Sequence, residues 1–225
     1  AECGVGQFVQ LSAIGADAGS DSAYARTKAA GEAAVQAAFP GAVILRPSII
    51  FGTEDQFFNR FAAMARMTWM LPIAHGATRF QPVWVDDVAQ VAAKAALGQV
   101  APGVYELGGP EVKSFRTLME EMLVLIRRRR LVLDLPRPLA RLAAGSLDLA
   151  QTLTGGLFHN RVLTRDQLKN LARDNVVSEG AQGFAALGNE PAPMDLILPG
   201  YLWRHRPAGQ FDAIRESAAG LRGQE

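Results

Sequence analysis

The chain has 225 residues, 49% hydrophobic and 20% charged, with a formal net charge of +1. This composition supports a packed core and excludes a disordered chain, and the near-zero balance supplies no field that would gather nucleic acid. A lone cysteine, Cys3, cannot form an internal disulfide, and His75, His159 and His205 stand too far apart for a zinc pattern, so no metal is expected.

From the N-terminus, residues 7–13 alternate polar and apolar before turning apolar, which predicts a partly buried strand carrying Ser12. Residues 15–22 read as a loop with Ser22 as an N-cap, and residues 23–39 as a helix stopped by Pro40 and Gly41. Residues 42–45 form a short apolar run typical of a parallel strand, ending in Arg46 and Pro47. Strand, loop, helix, strand is a crossover. Its strands run parallel, so Ser12 and residues 47–52 share the C-terminal edge of a sheet, where ligands bind in open α/β folds.

Tyr24 and Lys28 lie on the predicted helix, four residues apart and so on one face. With three tyrosines and four lysines in the chain, such a pair arises by chance only about 0.05 times. A solvated helix face needs no function, yet an ammonium beside a phenol also lowers its pKa from about 10 and readies it for proton exchange with a carbonyl or alcohol. Ser12 would hold the substrate oxygen.

Further along, residues 67–73 are dense in large apolar groups and read as core or, preferably, as a lid, with contact to a membrane surface as the alternative here and at residues 137–154. Residues 80–85 read as a returning strand, with Asp86 capping a helix whose stripe is Val88, Val91, Ala92 and Ala95. A strand is expected over 103–107 and a helix capped by Ser114. Arg127 to Arg130 sit where cations suit a helix end, although an anionic lipid, phosphate or partner contact is the alternative. A short strand at 131–133, an amphipathic helix over 137–154 and a helix capped by Thr164 follow. The aromatics Tyr201 and Trp203 read as packing or as part of a partner interface. No apolar run reaches the roughly 20 residues needed to span a bilayer.

Ser12, the run from Tyr24 to Lys28, residues 45–52, residues 82–89 and residues 105–110 resemble the later half of an extended or atypical short-chain dehydrogenase/reductase, the NAD-dependent epimerase/dehydratase kind. Residues 9–17, 22–24, 163–167 and 174–177 narrow the likeness to the alpha subcomplex subunit nine family of respiratory complex I and its bacterial relatives. The resemblance implies an α/β fold. Residues 1–112 would be the later half of a doubly wound NAD(P)-binding Rossmann domain, with a substrate-side insertion at 53–79, and residues 113–225 a smaller, mainly helical region. It also implies a catalytic set of Ser12 orienting the carbonyl, Tyr24 as general acid/base and Lys28 beside it, with Tyr24 and Lys28 also holding the nicotinamide ribose and Pro47, Ser48, Ile49 and Ile50 bordering the nicotinamide.

There are departures. Trp84 stands where family enzymes often carry a histidine, the family's catalytic asparagine has no counterpart, and Gly4-Val5-Gly6 does not make the glycine-rich pyrophosphate turn. The expectation is an N-terminally truncated member. Three functions stay open: an NAD(P)H-binding accessory or assembly subunit of complex I or a related quinone system, an active oxidoreductase or epimerase using Tyr24, and a non-catalytic quinone- or flavin-handling chaperone. The resemblance favours NADP over NAD and implies a cytoplasmic protein, peripheral on the cytoplasmic face of the inner membrane, with complex I subunits and the membrane surface as partners.

Overall fold

A computed structural model describes residues 4–142, 145–146 and 165–211. The crossover forms from β1 (Val9–Leu11), α1 (Ala23–Ala38) and β2 (Val43–Pro47), and β7 (Gly103–Leu107) adds to the far side of β2. The sheet order is β1-β2-β7, all parallel, with Leu45 in register between Leu11 and Tyr105. Val43, Ile44 and Leu45 are buried because both faces of β2 are covered, which is why the strand is a continuous apolar run.

Half of the sixteen residues of α1 are alanine, so propensity builds this helix more than an apolar face does. Ser22 Oγ accepts from the Ala25 N–H at 3.4 Å, as its sequence position predicts. Gly31 is the one weak former, and a Cβ there would stand 3.0 Å from Gln10 Nε2. The glycine lets helix and strand approach, at about 1 kcal/mol of helix propensity.

Residues 80–85 depart from the single strand expected. β5 (Arg79–Phe80) runs antiparallel to β8 (Lys113–Ser114), whereas β6 (Val83–Trp84) runs parallel to β3 (Ile50–Phe51). α3 (Val85–Ala96) then begins at Val85 with Trp84 at the N-cap, so Asp86 lies in the first turn and does not cap. Asp87 is the buried carboxylate of the pair, and it accepts from the Ala192 N–H at 2.8 Å. Val88, Val91 and Ala95 pack under the sheet as their spacing requires.

The second core surrounds α2 (Phe58–Met67) and α4 (Phe115–Leu125). Asp55 starts α2 by accepting from the N–H groups of Phe57 and Asn59 at 2.9 and 3.1 Å, and takes the Tyr201 hydroxyl at 2.5 Å. Ser114 caps α4 by accepting from Thr117 N–H at 3.1 Å. The apolar segment expected as a lid is instead β4 (Met70–Ala74), paired in parallel with β9 (Leu131–Leu135). Leu71 and Ile73 are 0% and 2% exposed. Burial of alternate residues and a full ladder hold it as a fixed wall. Residues 137–142 are helical, α5 (Arg165–Leu171) packs on α1, and α6 (Met194–Ile197) and α7 (Pro199–Leu202) close the second core with Met194, Tyr201 and Leu202. Cys3, His159, Thr164 and most of the helix expected over 137–154 lie outside the described residues. Among the described residues no helix is long and apolar enough to cross a membrane.

Candidate functional site

A cavity of about 640 Å³ opens at the C-terminal ends of β1 and β2. Ser12, Tyr24, Lys28, Pro47, Ser48, Ile49 and Ile50 all line it, so the structure brings together the residues that the resemblance assigns to the site. Ser12 comes directly after β1, Tyr24 and Lys28 face the cavity from the first turns of α1, and residues 47–50 bridge β2 to β3. The opposite wall is apolar: Phe57, Phe61, Met64, Phe80 and Phe115, with Ile73 from β4 and Leu135 from β9. Phe57, Phe61 and Phe80 lie 5.6, 5.3 and 5.7 Å from Phe115, centroid to centroid. Arg60, also on this wall, has its Cζ 5.1 Å from the Phe61 ring centroid, and burial lowers its pKa.

The Tyr24 phenol behaves differently from the sequence expectation. Lys28 Nζ lies 5.6 Å from the centre of the Tyr24 ring, over its face. Desolvation by burial raises the phenol above its ordinary value. The side-chain spacing is as read, but desolvation, which disfavours the charged phenolate, sets the direction of the shift.

Ser12 is 4% exposed, and its hydroxyl donates to Glu32 Oε1. Glu32 follows Tyr24 and Lys28 at the same helical interval, on α1, and is itself buried. Arg46 reaches it through Nε at 2.9 Å and Nη2 at 2.6 Å, and stands 3.6 Å from Glu106. The hydrogen bond to Glu32 raises the Arg46 pKa against the cost of burial, and both carboxylates add to the effect. This Ser12–Glu32–Arg46–Glu106 network was not read from the sequence. The four-residue interval from Lys28 to Glu32 was its available signal.

The late segments complete the cavity. Asp166 on α5 accepts from the N–H groups of Ala23 and Tyr24 at 2.8 and 3.1 Å and from Ser22 Oγ at 3.0 Å, so it caps the helix that carries Tyr24. Desolvation pushes its carboxyl up, but these hydrogen bonds and Lys169 outweigh it and hold the pKa below the usual range. Ser48 is buried and donates to Asn175 Oδ1 at 2.6 Å. Gln167, Asn170 and Asn175 line the cavity. Gln167 and Asn175 fall in the stretches 163–167 and 174–177 that carry the narrower likeness, but all three side chains come from segments far from α1, so nothing local places them at its cavity.

Tyr24 and Lys28 present a hydroxyl and an ammonium to the cavity; along residues 47–50, Pro47 has no N–H and the Ser48 N–H is given to the Leu107 carbonyl at 2.9 Å. Gly4 and Gly6 are exposed, and a Cβ on either would meet nothing within 4 Å, so neither forms a cradle against which a pyrophosphate would press.

A family profile described as the RmlD substrate binding domain matches residues 17–162. The chain belongs to this family. The short-chain dehydrogenase/reductase likeness read from its motifs agrees, and so does the narrower one. Over 210 residues the chain is 35% identical to the protein named NADH dehydrogenase [ubiquinone] 1 alpha subcomplex subunit 9, mitochondrial, of Arabidopsis thaliana, covering 92% of this chain and 52% of the relative. It thus spans about half the length of the curated relatives it matches. Among solved structures, gox2253 superposes with a TM-score of 0.60 at 19% identity, covering 91% of this chain and 68% of the other. The dTDP-glucose 4,6-dehydratase of Bacillus anthracis in complex with NAD superposes with a TM-score of 0.56 at 14% identity, over 91% and 63%. These likenesses show the Rossmann-type α/β fold.

Proposed function

We propose that this chain supplies the nicotinamide side of an NAD(P) site and serves as an accessory or assembly subunit of respiratory complex I or a related quinone system. The observation that carries the nucleotide half is the meeting of Ser12, Tyr24, Lys28 and residues 47–50 on one cavity wall at the sheet edge. Lys28 would bond the ribose and Tyr24 would flank it, while Pro47 to Ile50 would border the ring. A bound dinucleotide supplies hydride chemistry. The names of the mitochondrial relatives support the complex I half, and a peripheral place on the cytoplasmic face of the inner membrane follows from the family resemblance alone. NADP is the favoured form through the family resemblance alone.

Two features favour holding a nucleotide over turning it over. The Ser12 hydroxyl is given to Glu32, and desolvation raises the Tyr24 phenol above its ordinary value, away from the phenolate a base would need. A second reading, an oxidoreductase or epimerase with Tyr24 as acid/base, draws support from the retained Ser12, Tyr24 and Lys28 set. The deciding experiment is NADPH fluorescence titration and complex I co-purification of the full-length protein with Tyr24→Phe and Lys28→Ala. The proposal expects Lys28→Ala to weaken NADPH binding about tenfold, Tyr24→Phe to leave it intact, and co-purification without hydride transfer. Hydride transfer in the parent that disappears in Tyr24→Phe at unchanged affinity establishes the enzyme instead. Absence of NADPH binding by the full-length parent overturns both.

A further inference from the structure

Two turns far apart in sequence meet at the end of the second core, away from the cavity. The end of α2 carries Arg66 and Met67 and the turn that follows carries Trp69, while the α4–β9 turn carries Arg127 to Arg130 before Leu131. Arg130 Nε donates to the Ala65 carbonyl at 2.8 Å, and the Leu131 N–H to the Trp69 carbonyl at 3.4 Å, so each turn is fastened to the other. Met67 is 88% exposed, Trp69 69% and Leu131 56%. Arg66 and Arg129 are exposed beside them. The Arg128 guanidinium is lowered first by burial and then by repulsion from Arg130 and Arg66, which marks how closely the cations crowd. On the adjoining turn of α4, Glu120 lies 3.8 Å from Arg116.

Single exposed apolar residues are ordinary, but an indole and a thioether set among arginines are not dispersed. Arginines that keep their heads in the aqueous layer while tryptophan and methionine extend beside them match the graded polarity of a bilayer boundary. A purely acidic protein surface would satisfy the cations and leave the indole and thioether without a matching environment.

We propose that this end of the protein rests on an anionic bilayer surface, with phosphate headgroups meeting Arg66, Arg128 and Arg129 while Met67 and Trp69 enter the boundary between headgroups and acyl chains. It rests on the peripheral membrane placement proposed above and not on the nucleotide reading. The test is co-sedimentation of the chain with vesicles of phosphatidylcholine and phosphatidylglycerol, and with phosphatidylcholine vesicles alone, at low and high salt. Binding to the mixed vesicles that weakens as salt rises is expected. Arg66→Gln combined with Arg129→Gln should lower partitioning by about fivefold for each cation removed. Both side chains are exposed, and circular dichroism with a thermal melt confirms that the variant is folded. Brominated lipid should quench tryptophan emission in the parent and in Trp203→Phe, and lose its effect in Trp69→Phe. No binding to mixed vesicles overturns the proposal, as does binding unchanged in the folded arginine variant. Binding without Trp69 quenching overturns it too, because the chain then adsorbs to the vesicles without inserting the indole at the boundary.

Discussion

In the parallel sheet, Val43, Leu45, Val91 and Leu107 meet because regular elements repeat their apolar positions along one strand or one helix face. In the core around α2 and α4, Phe57, Phe61, Phe80 and Phe115 meet because separate segments converge on one point. Each region supplies one wall of the cavity: the sheet edge its polar groups, the ring cluster its apolar ones. The first kind of core is written locally and tolerates local reading. The second depends on long-range closure, and single truncations there should cost more and reach the cavity directly.

Phe115→Ala should give the largest effect. Phe115 is 1% exposed and touches three rings, so truncation costs about 3–5 kcal/mol in urea unfolding. A loss near 1 kcal/mol, no more than an average substitution costs, would show that the ring cluster collapses around the gap and that the contrast between the regions is false. Next is Glu32→Gln on the sheet side. It leaves partly buried Arg46 with only Glu106 at 3.6 Å, and the expected cost is about 2–3 kcal/mol, below that of an isolated buried pair because the Arg46 side chain is 25% exposed.

Asp166→Ala probes a long-range contact made to a local element, the start of α1. Loss of this cap should cost about 1 kcal/mol at neutral pH. The native Asp166 pKa is depressed, so its contribution is present above the unfolded value of about 4 and disappears as pH falls through the native value. Parent and variant stabilities should therefore converge in acid; a gap that persists there would assign the loss to packing. The smallest change is Tyr24→Phe, whose ring is 48% exposed, with stability altered by less than about 0.5 kcal/mol. Ultraviolet titration of the parent against this variant should place Tyr24 ionisation above about 10. Ionisation below that value would restore the sequence expectation that Lys28 favours the phenolate.

The sheet and its edge were legible because their signals are short-range. The alternating run before Ser12, the Ser22 cap, the apolar run at 43–45 and the strand at 103–107 each occupy one window, and the observed elements coincide with them. Pro82 separates two pairings with different partners, so residues 80–85 looked like one strand when they form parts of two sheets. The Trp69 segment read as a lid because its partner strand, β9, lies in a distant stretch of chain. Asp86 read as a cap because the end of β6, two residues earlier, was not visible in the local pattern.

What the sequence determined by itself is the crossover, the shared face of Tyr24 and Lys28, and their place with Ser12 and residues 47–50 at one sheet edge. Helical and strand periodicity and the handedness of a parallel connection are enough for that. Only the tertiary structure decided the direction of the Tyr24 pKa, the partner of the Ser12 hydroxyl, the fixed position of β4 and the joining of Trp69 to the arginine turn. Those outcomes depend on burial and on partners remote in the chain, and desolvation and pairing act through space, not along the sequence.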